Sequence, residues 1–477
     1  MTCPRLSTSL LSGALAFASV NAAAQTQAPD KGEATFRALY KQLVEINTTL
    51  SSGSCTKAAQ AMAKHLRDAG FAASDMKILT PKDRPNDGNL IATLPGKDRN
   101  ALPILLLAHL DVVEAKREDW ERDPFTLVEE GGFFYARGSS DDKAMAAVFV
   151  DSLARYMAEG FVPQRDLKMA LTCGEETPDT FNGVDWLIKN HPDALKAAYA
   201  INEGAGGELD KDDKPVALQV QAGEKIYQDF TLESTNSGGH SSRPIKENAI
   251  YHLAAGISKI GAHQFPIALN PVTRSYFSTQ AELSPADVGN DMRALLASPP
   301  DQAAADRLWD VNPGWNSMIR TTCVTTMINA GHAPNALPQR ARANVNCRIL
   351  PGSSVGETLA TLQSVVGDDK VAVTLAAEPS AKSIPPTLTP QILEPVKAVA
   401  EEIWPGVAIV PTMSTGATDG RFLNASGVPT YGMSGMFHDA EGSRAHGLNE
   451  RIRVKSLLDG RRFLYEVVKR YAADPNR

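Results

Sequence analysis

Short apolar runs that end abruptly in polar residues recur along the first half of this chain. NLIATLPG (residues 89–96), PILLLAHLDVV (103–113), LKMALTCGEE (167–176) and AAYAINEG (197–204) are of this kind, and such runs predict buried strands of a largely parallel sheet. Between them, FRALYKQLVEI (36–46), CTKAAQAMAKHLRDAGF (55–71) and AMAAVFVDSLARYM (144–157) carry apolar residues at helical spacing. The alternation predicts an α/β fold from about residue 35 to 221. In open α/β sheets ligands bind beyond the carboxyl ends of the strands, which is where the closing polar residues fall.

From about 222 the texture changes. IYQDFTLEST (226–235) alternates like a half-exposed strand, and KENAIYHLAAGISKIG (246–261) reads as a helix. MIRTTCVTTMINA (318–330) and ARANVNCRIL (341–350) read as strands, GETLATLQSVV (356–366) as a helix and VAVTLAAE (371–378) as a strand. That β-α-β-β-α-β order is the ferredoxin-like arrangement. The stretch 263–316, rich in Pro, Asn, Ser and Ala, is predicted to be irregular, either a lid loop or an elaboration of a dimer edge. The first texture returns at about 381, with a helix over 389–404, strands over 406–414 and 428–436, and a closing helix over 453–473. The expected organisation is a segment 1–24 to be removed, a main α/β domain built from 25–221 and 381–477, and an α+β domain, 222–380, inserted between its halves as a lid or dimerisation unit.

The start of the chain reads as an export signal. Arg5 precedes the apolar LSTSLLSGALAFASV, and Ala22, Ala23 and Ala24 fit a small-residue cleavage site before Gln25. The implied location is periplasmic or secreted, with no membrane association after cleavage. A net charge of −7 without a basic patch argues against nucleic acid as a partner. Of five cysteines, Cys3 leaves with the signal. Cys323 and Cys347 are each 12 residues from Asn335, so they could face each other across a hairpin, and an exported protein can keep such a pair bonded. Cys173 ends an apolar run and reads as core.

The chemistry lies in five short signatures: His109 in LLLAHLDVV, Asp141 in ARGSSDDK, Glu176 in LTCGEET, Glu203 in AINEG and His446 in RAHGLNE. No one of them decides anything; the set does. Two imidazoles and three carboxylates suit a pair of zinc ions, and cobalt or manganese suits the same donors. Glu175 and Glu176 are adjacent and diverge, so one can bind metal while the other takes a proton from an activated water. His109 and Asp111 alternate and point to one side of an extended strand end, where Asp111 could accept a hydrogen bond from the second nitrogen of His109.

These residues resemble the aminoacylase, carboxypeptidase G and succinyl-diaminopimelate desuccinylase family of dizinc peptidases, metallopeptidase family twenty. The resemblance runs from about residue 35 to the C-terminus through HLDVV, RGSSDDK, GEE, NEG, SGGHSS, NALP, CRILPG, TGATDGR and AHGLNE, in family order. It implies that His109 and Glu203 hold one zinc, that Glu176 and His446 hold the other, and that Asp141 bridges them. It also implies that a metal-bound hydroxide attacks an amide carbonyl with Glu175 as general base. His240 in SGGHSS would stabilise the oxyanion, entering from a partner subunit or by closure of the inserted domain. Asn335 and Arg348 would contact oxyanion and substrate carboxylate, with Gly416 and Thr418 completing the carboxylate site. Two positions depart from the family. Asn346 stands where an aspartate often precedes the arginine, which removes an ion pair that would orient Arg348, and Ala144 replaces a glycine.

The expected activity is cleavage of a peptide or amide bond next to a free carboxylate, as in a carboxypeptidase or dipeptidase. Hydrolysis of N-acyl amino acids is the near alternative, and a non-catalytic metal- or amino-acid-binding protein a remote one. A homodimer through the inserted domain is a further expectation. No GxGxxG or GxxxxGK[ST] follows a strand, so phosphate binding has no support.

Overall fold

The structure, a computed structural model, describes residues 32–177, 180–380 and 384–473; the expected export signal lies outside them. At the centre of a ten-stranded sheet three parallel neighbours, Leu167–Thr172, Ile104–His109 and Tyr199–Asn202, run side by side. Ile104–His109 is buried at every position. Helices cover both faces there, so its sequence reads as continuously apolar rather than alternating. Thr430–Gly432 extends the ladder beside Tyr199–Asn202, and Ala408–Ser414 runs parallel to Pro215–Glu224. Strands from early and late in the chain therefore share one sheet. The closing helix Val454–Ala473 crosses helix Lys143–Ala158. A buried ion pair ties the two, Arg461 Nε to Asp151 Oδ2 at 2.8 Å.

The second sheet is antiparallel, in the order Thr322–Ala330, Arg340–Ile349, Ile226–Thr235, Val371–Leu375. Strand Arg340–Ile349 alternates exposed and buried along its length. Its inner residues pack with helices Ala249–Ala262 and Val355–Val366 in a core that includes Phe230, Leu232, Leu253, Val345 and Leu362. Strand order and chain order together are ferredoxin-like, as the sequence predicts.

The stretch 263–316 is not irregular. It forms helices Pro271–Leu283, Ala286–Leu295, Gln302–Val311 and Pro313–Ile319. The residues that suggest a loop are helix starts. Asn270, Asp301 and Asn312 accept hydrogen bonds from first-turn backbone N–H groups, and Pro271 and Pro313 occupy first helical positions. These helices pack through Tyr276, Phe277 and Met318 against Ala217 and Val410 of the large sheet. Lys225, fully buried where the two sheets join, pins the end of this layer. Its Nζ donates to Ser317 O, Ser317 Oγ, Arg320 O and Thr322 Oγ1.

Cys323 and Cys347 are cross-strand neighbours and are bonded. The reading of Cys173 as a core thiol needs correction. The residue is buried, but it is bonded to Cys55, 118 positions away. That bond joins the start of helix Cys55–Asp68 to the end of the strand leading to Glu175. In the chain-entropy account a closed loop of that length is worth about 4–5 kcal/mol against the unfolded chain.

Candidate active site

Each of the three central strands ends in chemistry. His109 closes Ile104–His109, Glu175 and Glu176 follow Leu167–Thr172 across a turn at Gly174, and Glu203 follows Tyr199–Asn202. Because the strands are parallel neighbours, their carboxyl ends open at one edge. Gly174, with φ of 91°, makes the turn that carries the two glutamates out of the sheet. Asp141 sits just before helix Lys143–Ala158, after a turn through Gly138. His446 arrives on the loop ahead of strand Arg451–Arg453.

The donors sort into two sets that meet at Asp141. Its Oδ1 lies 3.2 Å from His109 Nε2, and Glu203 Oε1 lies 3.7 Å from the same nitrogen. Its Oδ2 lies 3.2 Å from His446 Nε2, which is 3.0 Å from Glu176 Oε1. Donors about 2.0–2.2 Å from one ion stand roughly 3.3–3.6 Å apart on a tetrahedron, close to these separations. His109 Nδ1 donates to the Asp111 carbonyl oxygen at 3.0 Å, which leaves a lone pair on Nε2 facing carboxylate oxygens. Two acceptors in such a position call for a cation between them. The donor set therefore fits metal ions.

The electrostatics agree. Burial pushes Glu203 and Glu175 well above the usual carboxylate range, against the pull of His109, and burial does the same to Asp142. Asp141 goes the other way: hydrogen bonds from His109 and His446 outweigh its burial and lower it. His109 is raised well above its ordinary value because Glu203, Asp141 and Asp111 outweigh burial. Hydrogen bonds to Asp141 and Glu176 raise His446 to about 10. Without a cation the surrounding carboxylates favour the protonated form of both imidazoles, so a metal ion competes with protons for the rings. Metal affinity should therefore fall as pH falls, by up to about 100-fold per unit for two displaced protons. Competition with a chelator at pH 6, 7 and 8 checks this; a pH-independent affinity would contradict the two-histidine donor set.

Asp111 acts differently from its expected part. Its carbonyl, not its carboxylate, holds His109; the carboxylate is 3.7 Å from Nδ1. The carboxylate instead accepts from the backbone N–H groups of Glu175 at 3.2 Å and Glu176 at 2.9 Å. A side chain two residues beyond the ring reaches the next strand's loop more readily than it folds back.

His240 and Asn335 come together on the second lobe, where strand Gly239–His240 pairs with Ala336–Leu337 and Ser241 N–H donates to Asn335 O at 3.0 Å. His240 Nδ1 accepts from Ser242 N–H and Oγ, which leaves Nε2 as the exposed donor. Arg348 lies over the Tyr227 ring at 4.6 Å. Its pKa is lowered by burial, with Arg421 close enough to add to the effect. The acid absent at position 346 is present one strand across: Asp229 is opposite Asn346 in the ladder and accepts from its amide. Among the described residues none of these three is hydrogen-bonded or ion-paired to the His109–His446 cluster. At the carboxylate site implied by TGATDGR, the Gly416 N–H donates to Ser414 Oγ and the Thr418 N–H to Glu224 Oε2 at 2.6 Å. The Thr418 hydroxyl accepts from Asn202.

Two residues outside the expected set support it. Glu450, fully buried, accepts from Arg137 Nη1 and from the N–H groups of Gly138, Ser140 and Asp141 at 2.8–3.0 Å. Asp419 accepts from Thr172 and Asn182 beneath the strand ends. Both stand in motifs already noted, AHGLNE and TGATDGR. A third grouping of donor atoms, Cys55, Asp111 and Cys173, is not a metal centre, since its sulfurs are bonded to each other.

A mostly parallel sheet that gathers imidazoles and carboxylates at its strand ends, beside a ferredoxin-like lobe, defines a metallo-exopeptidase or amidohydrolase. The chain belongs to peptidase family M20/M25/M40, which matches residues 105–470. It is 30% identical over 394 residues to the human N-fatty-acyl-amino acid synthase/hydrolase PM20D1, covering 80% of this chain and 76% of that protein. It is 31% identical over 291 residues to carboxypeptidase S of Saccharomyces cerevisiae, covering 58% of this chain and 50% of that one. The M20 family metallo-carboxypeptidase Sso-CP2 from Sulfolobus solfataricus shares the fold, with a TM-score of 0.68 at 19% identity over 92% of this chain and 99% of that one.

Proposed function

We propose that this protein is an exported dinuclear metal hydrolase that cleaves an amide bond next to a free carboxylate. The observation that carries this is Asp141, whose two oxygens each face a different imidazole. His109, Asp141 and Glu203 would hold one ion, and Asp141, Glu176 and His446 the other, zinc first among candidates. When bound, the ions supply Lewis acidity that activates water and polarises the carbonyl. Glu175 takes the proton of the attacking water on its carboxylate and returns it to the leaving nitrogen. Asp111 fixes the backbone from which Glu175 reaches. His240 Nε2–H donates to the developing oxyanion, assisted by Asn335, when the second lobe of this chain or of a partner copy closes on the site. Arg348 binds the substrate carboxylate through its planar fork, with Gly416 and Thr418 lining the same region.

Several observations support the rest of this reading. Two disulfides suit an oxidising compartment, in keeping with the signal and a periplasmic or secreted location. No helix among the described residues is long and apolar enough to cross a membrane. The edge strand Thr322–Ala330 leaves Val324, Met327 and Ile328 more than half exposed, a surface suited to a second copy of the chain in a homodimer. The name of the human relative favours N-acyl amino acids as substrates; that of the yeast relative favours peptides.

The test is metal content of the purified protein together with hydrolysis of free-amino dipeptides and N-acyl amino acids, before and after chelation. About two ions per chain, with activity lost on chelation and restored by zinc, is the expected result. A protein that binds metal but hydrolyses neither class would leave only the binding-protein reading.

A further inference from the structure

We propose that the ion pairs of Arg451 and Arg453 with Asp439 and Glu441 are a positioning device for His446: they clamp the two stems of its loop and so present the ring to the second metal ion. This rests on the two-metal reading above and concerns how one of its ligands is held.

The two imidazoles of the site are supported in opposite ways. His109 is 1% exposed, ends a central strand, and has its Nδ1 fixed by the Asp111 carbonyl. The His446 side chain is 59% exposed. Its described polar contacts all run through Nε2, to Asp141 and Glu176. A metal-binding histidine is ordinarily oriented through its other ring nitrogen. For His446 that task falls to the backbone of the loop.

That backbone is in a conformation few side chains adopt. Arg444, His446 and Asn449 have φ of 58°, 61° and 54°, in the left-handed region where Cβ crowds the following carbonyl. The other described non-glycine residue there is Asp213, which is itself paired with Arg453. Such positions persist only where the surroundings over-determine them.

The surroundings here are charges. The loop leaves strand Phe437–His438 of the large sheet and enters strand Arg451–Arg453 of a separate three-stranded sheet. Among the described residues no strand ladder joins these two stems. Arg451 joins them instead: its Nη2 donates to both Asp439 oxygens, at 3.1 and 3.2 Å, and to Glu441 Oε2 at 3.1 Å. Arg453 donates to Asp439 Oδ2 from Nη2 at 3.1 Å and to Asp213 Oδ2 from Nη1 at 2.9 Å. Both guanidiniums lie over the Phe133 ring, at 4.3 and 4.9 Å. The Arg451 and Asp439 side chains are 10% and 17% exposed, so water and salt screen this pair less than a surface pair. Arg444 Nη2 donates to Glu441 Oε2 at 2.6 Å, which carries the clamp to within two residues of His446.

The test uses Asp439→Asn, Arg451→Met and Arg451→Lys. Each is measured for metal content, stepwise chelator competition, denaturant unfolding, and amide hydrogen exchange of residues 439–450 in the metal-free protein. In Asp439→Asn and Arg451→Met one of the two ions should bind about 10–100-fold more weakly. The other should stay within about twofold of wild type, since His109 and Glu203 lie outside the clamp. Loop amides should exchange about tenfold faster in these two variants. Arg451→Lys keeps a cation opposite Asp439 and should recover most of the lost affinity. Equal weakening of both ions, or of neither, would overturn the proposal, as would unchanged exchange in the loop. An Arg451→Lys variant as weak as Arg451→Met would also overturn it, by showing that packing over Phe133 rather than charge holds the loop. If Arg451→Met fails to fold, Asp439→Asn, which leaves Arg451 over the ring, decides. A wild type that holds fewer than two ions would instead sink the two-metal reading, and loop exchange in the metal-free proteins would still decide the clamp.

Discussion

Glu175→Gln should reduce kcat by about a thousandfold, within the 10²–10⁴ range of a positioned general acid–base, and leave metal content unchanged. The substitution keeps the shape and the backbone N–H that Asp111 accepts, and removes only the capacity to carry a proton. The structure makes this a sharp test. An oxygen of Glu175 also lies within 4.8 Å of donor atoms of His109 and Glu203, so a ligand role competes with the proton-carrier role. Metal analysis separates them: loss of activity with full metal supports the proton carrier, whereas loss of an ion along with activity makes Glu175 a ligand. Activity equal to wild type would remove Glu175 from the chemistry.

Glu450→Ala should destabilise the protein by about 3–5 kcal/mol, the usual consequence of removing one partner of a buried ion pair. Arg137 and Glu450 side chains are 3% and 1% exposed, so the guanidinium left behind has no water to replace its partner. Burial already holds the Glu450 carboxyl above its ordinary range, and the donors around it offset that burial only in part. Three of those donors are the backbone N–H groups of Gly138, Ser140 and Asp141. The variant should therefore also loosen the turn that presents Asp141 and weaken metal binding by about 10–100-fold, as loss of groups that orient metal ligands does. Denaturant unfolding and chelator competition measure the two effects. Unchanged stability with weakened metal would make Glu450 purely a positioning residue; no change in either would show that the turn holds itself.

Glu450 also shows where legibility in the sequence ended. His446 and Glu450 share the AHGLNE motif, yet only His446 is of a type that signals metal binding on sight. A glutamate that caps a turn 310 residues away has no local signature. Asp111 is similar: its alternation with His109 was readable, but which of its oxygens meets the ring depends on where the loop from strand Leu167–Thr172 passes. In the stretch 263–316, helix-capping Asn and Asp and first-position Pro have the composition of a loop. Cys173 looked like core because it is core; its bond to Cys55 depends on two segments meeting across 118 residues.

The sequence by itself determined the central strands, the longer helices outside 263–316, the ferredoxin-like order of the second lobe and the residue types that could act as donors, and it left the Cys323–Cys347 pair as a possibility. All of these are written in local periodicity, in hairpin arithmetic or in residue chemistry. Tertiary structure alone decided the pairing of donors around Asp141, the support from Glu450 and Asp419, and the Cys55–Cys173 bond. It alone decided that the helical layer packs on the large sheet. These depend on which distant segments become neighbours. That is set by the summed burial of two sheets and their helices, a property that no single stretch of the chain carries.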